Sequence, residues 1–120
     1  MLQCHLIFVV EYRKRLLISY GNFIKQICYD IVQNSNFSIQ EMEIDKDHIH
    51  FLISYEPQIS ITQIVRKLKI ITTKRLWKNY EQNLKLYFWK ERTFWSDGYF
   101  VCSIGNANED TIKKYIKNQG

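Results

Sequence analysis

The three cysteines, Cys4, Cys28 and Cys102, are odd in number and far apart, and no Cys-x-x-Cys occurs. This excludes a disulfide framework and a structural zinc site as organising features. Each cysteine is expected to behave as a small buried apolar residue in a reducing cytoplasm. No apolar run approaches the length of a membrane span. The segment Met1–Val10 lacks a basic start and runs into Glu11, so no signal peptide is expected. Repeats, low-complexity tracts and linkers are also missing, and Pro57 is the only proline. What remains is an ordinary globular composition, 46% hydrophobic and 24% charged over 120 residues. That suits a single domain, residues 1–120, with one core. Seventeen Lys and Arg against twelve Asp and Glu leave a net charge of +5, with 15% aromatics. Cations neutralise phosphates and rings stack on bases, so a polyanionic partner fits, although many basic domains touch no nucleic acid.

Leu2–Val10 is apolar and rich in β-formers and predicts a buried first strand. A basic turn, Tyr12-Arg13-Lys14-Arg15, follows. From about Tyr20 to Gln33, Ile24, Ile27, Cys28 and Ile31 form the stripe of an amphipathic helix, which Asn34-Ser35-Asn36 ends. Phe37–Ile44 and His48–Ser54 predict a hairpin turned at Asp45-Lys46-Asp47. Ser60 and Gln63 make a capping box for a helix to about Lys78, with the stripe Ile61, Ile64, Val65, Leu68. Tyr80–Gly98 resists assignment. Tyr99–Ile104 predicts a fourth strand, Gly105–Asn108 a turn, and Glu109–Gln119 a last helix whose charges agree with its dipole. The order β-α-β-β-α-β is the split βαβ pattern of a ferredoxin-like (RRM-like) α+β fold, with both helices on one sheet face and a further C-terminal helix.

Alternation along the third strand puts His48 and His50 on the face that the helices leave free, and Ile49, Phe51 and Ile53 on the other. Such a pair reads either as two polar residues on a solvated face or as two ligands for one transition-metal ion. On the last helix Tyr115 and Gln119 share a face with Ile112 and Ile116. That stripe reads as a packing face, or as a nucleophile beside an oxygen ligand. A phenol, with a pKa near ~10, attacks poorly unless a cation stabilises the phenolate or polarises its target. An ion held by His48 and His50 would polarise a phosphate, and the Gln119 carbonyl would supply a third ligand.

Five segments carry a family resemblance in order: Cys4–Leu17, Asp45–Ile53, Ile64–Lys69, Trp95–Val101 and Ile112–Gln119. Across nearly the whole chain they resemble the small single-tyrosine HUH transposases of bacterial and archaeal insertion sequences, which move single-stranded DNA. The resemblance implies that His48, His50 and Gln119 hold a divalent metal. It implies that Tyr115 is the nucleophile of a 5′-phosphotyrosine intermediate. It further implies a homodimer acting on hairpins at the ends of an element, with no membrane and no small-molecule substrate. Mg²⁺ and Mn²⁺ are the candidate ions: two imidazoles favour the softer, phosphate chemistry and availability favour Mg²⁺. Relatives generally carry a segment before the first strand and a tail after the tyrosine helix. Asp97 stands where many have a basic residue, and Ile70-Ile71 replaces a small, polar stretch.

With DNA as the implied substrate, Arg13, Lys14 and Arg15 after the first strand become phosphate contacts. So do Arg66, Lys67, Lys69, Lys74, Arg75 and Lys78 on the second helix. Trp89, Phe94 and Trp95 read as base-stacking rings or as core. Two rivals stand beside a transposase: a domesticated relative acting on repeated chromosomal hairpins, and a non-catalytic nucleic-acid-binding remnant. Flanking hairpins around the gene would separate the first; the intact set His48, His50, Tyr115 and Gln119 argues against the second.

Overall fold

The eight-residue strand β1 (Leu2–Val9) ends in the β-formers Ile7, Phe8 and Val9, and the rest of the sheet assembles around it. A computed structural model describes residues 1–103 and 109–119. After β1 and a single 3-10 turn at Glu11–Arg13 come α1 (Leu17–Val32), β2 (Phe37–Ile44) and β3 (His48–Tyr55). Then follow α2 (Ile61–Leu84), β4 (Phe100–Ser103) and α3 (Glu109–Asn118). The sheet order is β2-β3-β1-β4, and every described pairing is antiparallel. This is the ferredoxin-like α+β arrangement expected from the element order. Ile104, the turn at 105–108 and the side chain of Ile112 lie outside the described residues.

Cys4, Leu6, Phe8 and Val10 of β1 and its end join Ile49, Phe51 and Ile53 of β3 beneath the two long helices. Ile7 and Val9 alternate with them onto the other face, yet are equally buried. The central strand is therefore covered on both sides, which is why it reads as an unbroken apolar run. Gly21 lets α1 approach the sheet, because a Cβ there would meet Ile44 Cγ2 at 3.2 Å.

Two helix boundaries differ from the sequence reading. Helix α1 begins at Leu17, ahead of the expected Tyr20; Leu16 and Leu17 are buried, and the Leu17 N–H donates to Lys46 O (3.1 Å). Helix α2 starts at the expected Ser60 cap, with both bonds of the box present, but continues to Leu84 instead of about Lys78. The extension is polar and bends at Tyr80 (φ −132°), so no apolar stripe announces it. Tertiary contacts with α1 hold it: the Tyr80 ring packs on Tyr20 and Phe23, with centroids 4.9 and 5.0 Å apart.

Candidate active site

The pairing of β3 with β1 sets the site. His48 faces Val9 and His50 faces Ile7 across the strands, both on the side away from the buried Ile49, Phe51 and Ile53. The two histidines have different partners. His48 Nδ1 lies 2.9 Å from Asp47 Oδ1, and Arg13 Nε donates to Oδ2 at 3.0 Å. A carboxylate only accepts, so Nδ1 carries the proton and Nε2 is the nitrogen open to a ligand. Burial pushes the Asp47 carboxyl up, but the hydrogen bonds from His48 and Arg13 outweigh it and hold it below its ordinary value. His50 Nε2 lies 2.8 Å from Nδ1 of His5, the two rings tilted with centroids 5.0 Å apart. One ring must donate and the other accept. Burial, and then the neighbouring His5, lower the His50 pKa, while Glu43 and Glu41 pull it up. His50 is therefore neutral near pH 7, the form a metal ligand needs.

Sequence reasoning did not single out His5. It stands on a different strand, and only the β1–β3 register brings it beside His50.

Across the same face, Phe100 of β4 pairs with Ile7, which in turn pairs with His50. The Tyr115 ring rests on Phe100, centroids 5.6 Å apart, so α3 lies against the sheet of its own chain. Tyr115 Oη is buried and has no hydrogen-bond partner among the described residues, and burial pushes its pKa up to about 12. Gln119 Oε1 lies 3.3 Å from Ser96 Oγ. Ser96 in turn reaches Val9 O through both its N–H (2.8 Å) and its hydroxyl (3.0 Å), and Val9 is the strand partner of His48. Gln119 thus lies near the His48 end of the pair, and Tyr115 is one strand beyond Ile7 from His50. Ile116 is half-buried beside them.

The Trp95–Gly98 segment beneath α3 is fastened by Lys69, whose Nζ donates to Ser96 O (2.9 Å) and Gly98 O (2.6 Å). Gly98, at φ +81°, borders the Tyr115 hydroxyl: a Cβ there would lie 4.0 Å from Tyr115 Oη. Neither Ser96 nor this use of Lys69 follows from spacing, since the contacts join segments far apart in sequence.

Among the described residues no group of three or more His, Cys, Asp or Glu is placed to hold a metal ion. The donor set that suits a divalent cation is two imidazoles and an amide oxygen. A buried phenol oxygen with no partner among the described residues fits a site completed by a further group. It also has a consequence in alkali. A phenol near 10 when unfolded and about 12 when folded favours the folded state in full below pH ~10. That share is lost as pH rises through about 12. Between about pH 9 and 11.5, the urea midpoint of the native protein is expected to fall more steeply than that of Tyr115→Phe. Equal slopes would mean that Tyr115 ionises as easily folded as unfolded.

The basic residues expected to contact DNA divide into two groups. Arg15, Arg66, Lys74 and Lys78 are exposed. Arg13 and Arg75 are also exposed but have protein partners, Asp47 and Asp30 (3.1 Å), while the half-buried Lys67 donates to Ser35 Oγ (2.6 Å) and Lys14 lies over aromatic rings. Half-buried Lys69 spends two of its three N–H donors on the loop carbonyls of Ser96 and Gly98. Phe94 and Trp95 are core, with Trp95 Nε1 donating to Thr72 Oγ1 (2.9 Å), so neither is a base-stacking surface. Trp89 is exposed.

The sequence model of the family described as "Transposase IS200 like" matches residues 1–119. The ISDra2 transposase TnpA of Deinococcus radiodurans is 32% identical over 119 residues, 98% of this chain and 84% of that protein. The transposase for insertion sequence element IS200 of Salmonella typhimurium is 31% identical over 121 residues, 96% of this chain and 74% of that protein. A crystal structure of a candidate transposase from Deinococcus radiodurans R1 superposes with a TM-score of 0.87 at 28% identity, over 98% of this chain and 90% of that one. A REP-associated tyrosine transposase solved with a REP hairpin shares the fold, with a TM-score of 0.62 at 12% identity, over 96% of this chain and 62% of that one.

Proposed function

This chain belongs to the IS200-like transposases, and from that premise we propose that it cuts and rejoins single-stranded DNA at hairpin-marked ends through a 5′-phosphotyrosine at Tyr115. The observation that carries the reading is the buried Tyr115 hydroxyl, without a hydrogen-bond partner among the described residues, on the same sheet face as His48 and His50.

The Tyr115 oxygen attacks the scissile phosphorus as the phenol gives up its proton. The bond from phosphorus to the 3′ oxygen breaks, and that oxygen leaves as a protonated hydroxyl. The phosphodiester energy is kept in the tyrosyl ester, so a second 3′-hydroxyl can reverse the step and join a new strand without an external energy source. His48, His50 and the Gln119 oxygen would hold Mg²⁺ or Mn²⁺. Bound there, the cation supplies Lewis-acid stabilisation of charge on the phosphate. Asp47 orients His48, His5 orients His50, and Ser96, whose one hydroxyl proton is shared between Val9 O and Gln119 Oε1, stands beside Gln119. Lys69 holds the segment on which Ser96 stands.

One nucleophile per chain and two ends per element call for a homodimer. The hairpin in the REP-associated structure supports a folded DNA end as the binding determinant. The exposed Arg15, Arg66, Lys74 and Lys78 are suited to its phosphates and would set salt dependence without choosing sequence.

The test is to incubate the full chain with single-stranded hairpin oligonucleotides from the ends of its element, with Mg²⁺ or Mn²⁺, and to denature the products. A protein–DNA adduct that survives denaturation is expected, with the DNA joined through its 5′ phosphate. No adduct with any end sequence, or an adduct through the 3′ phosphate, overturns the reading.

A further inference from the structure

The irregular stretch after α2 folds back over the turn that follows β1. Between them lies a cleft of about 290 Å³ whose walls include Tyr12, Lys14, Tyr87, Trp89, Lys90 and Thr93. Three of its rings are open to solvent: Trp89 is 75% exposed, Tyr12 68% and Tyr87 40%. Single exposed aromatics are common on protein surfaces, but three around one cleft are not explained by folding. Each ring also lies near a cation. Lys14 Nζ is 6.0 Å from the Tyr12 centroid and 5.8 Å from that of Tyr87, and Lys90 Nζ is 5.0 Å from that of Trp89.

The backbone adds an independent sign. Tyr12 and Arg13 both adopt left-handed conformations, with φ of 59° and 52°. Two successive non-glycine residues there carry strain, which tends to collect at binding and catalytic sites. The strained turn presents the Tyr12 ring to solvent at the mouth of the cleft.

The cleft also has a fixed relation to the active site. Val10 bridges to Trp95, and the Glu11 N–H donates to Phe94 O (2.8 Å), so Tyr12 and Thr93 continue the same pair of chains. Ser96, which stands beside Gln119, is three residues from Thr93, or about 10 Å along an extended chain.

We propose that this cleft is a stacking site for unpaired bases of the single DNA strand that leads to Tyr115, an inference that rests on the single-strand reading above. Aromatic walls suit a nucleobase, whose π-face is common to all four bases. The two ammonium groups suit the phosphates on either side of it, whereas an apolar partner surface would have to bury them.

The test uses the Tyr115→Phe protein, so that no strand is cut. Trp77 and Trp95 are buried and Trp89 is exposed, so a change of tryptophan emission on ligand binding reports mainly Trp89. The probes are an unstructured oligothymidylate and an abasic strand of equal length. Thymidylate is expected to quench the emission and to bind more tightly than the abasic strand. With affinities read from the fluorescence anisotropy of end-labelled strands, which does not depend on Trp89, Trp89→Ala or Tyr12→Ala should weaken thymidylate binding about tenfold while leaving abasic binding unchanged. Equal affinities for both strands, or equal weakening of both by the substitutions, overturns the stacking site. So does a change from dimer to monomer in sedimentation without any base-dependent effect, which would make the cleft a contact between copies. If the parent binds neither strand, the single-strand reading fails along with the cleft; base-independent binding removes the cleft alone.

Discussion

Tyr115→Phe is expected to abolish the covalent adduct, lowering strand cleavage by on the order of 10⁴- to 10⁶-fold, while hairpin binding stays near its original value. Loss of an essential nucleophile acts on this scale, roughly 5 to 8 kcal/mol in the barrier. The fold should not suffer. Tyr115 Oη has no hydrogen-bond partner among the described residues, so its removal forfeits no bond and relieves a buried polar atom. The ring remains to pack on Phe100. Denaturation curves at neutral pH should therefore show equal or slightly greater stability for the variant. If the variant formed as much adduct as the native protein, another nucleophile would be acting.

The second large effect concerns the histidines. Substituting His48 or His50 by alanine should weaken Mn²⁺ binding by more than about 100-fold and reduce cleavage with it. Orienting partners of metal-bound histidines are typically worth about 10- to 100-fold in affinity, and the ligands themselves exceed that. Asp47→Asn and His5→Ala should fall in the smaller range, because Asp47 holds the His48 ring and His5 the His50 ring. Mn²⁺ titration followed by electron paramagnetic resonance gives these affinities without any turnover. Unchanged affinity in both alanine variants, or cleavage that persists in excess chelator, would remove the histidines from the metal site.

The parts of the fold that follow from periodicity were legible before any coordinates. Alternation in His48–Tyr55 is enough to put both imidazoles opposite Ile49, Phe51 and Ile53, and the Ser60–Gln63 box marks the start of α2. What sequence reasoning missed depends on long-range contacts. His5 meets His50 only through strand register. Lys69 looks like one more surface cation until its two carbonyl acceptors come into view. The stretch Tyr80–Gly98 has no period because it is built from single anchors. Trp77 Nε1 donates to Thr93 O, Trp95 Nε1 to Thr72 Oγ1, and Ser96 to Val9 O. The rings of Phe94 and Trp95 could be assigned to core or to a surface only once those anchors were known.

The isolation of the Tyr115 hydroxyl also bears on what the protein does when idle. With a pKa of about 12, only on the order of one chain in 10⁵ carries the phenolate at pH 7. If Tyr115 is the attacking group, its proton must leave in the step of attack itself, and burial makes that departure harder than for a free phenol. Burying a polar atom with no partner among the described residues costs stability, and in exchange it keeps the oxygen that would attack DNA in its less reactive, protonated form.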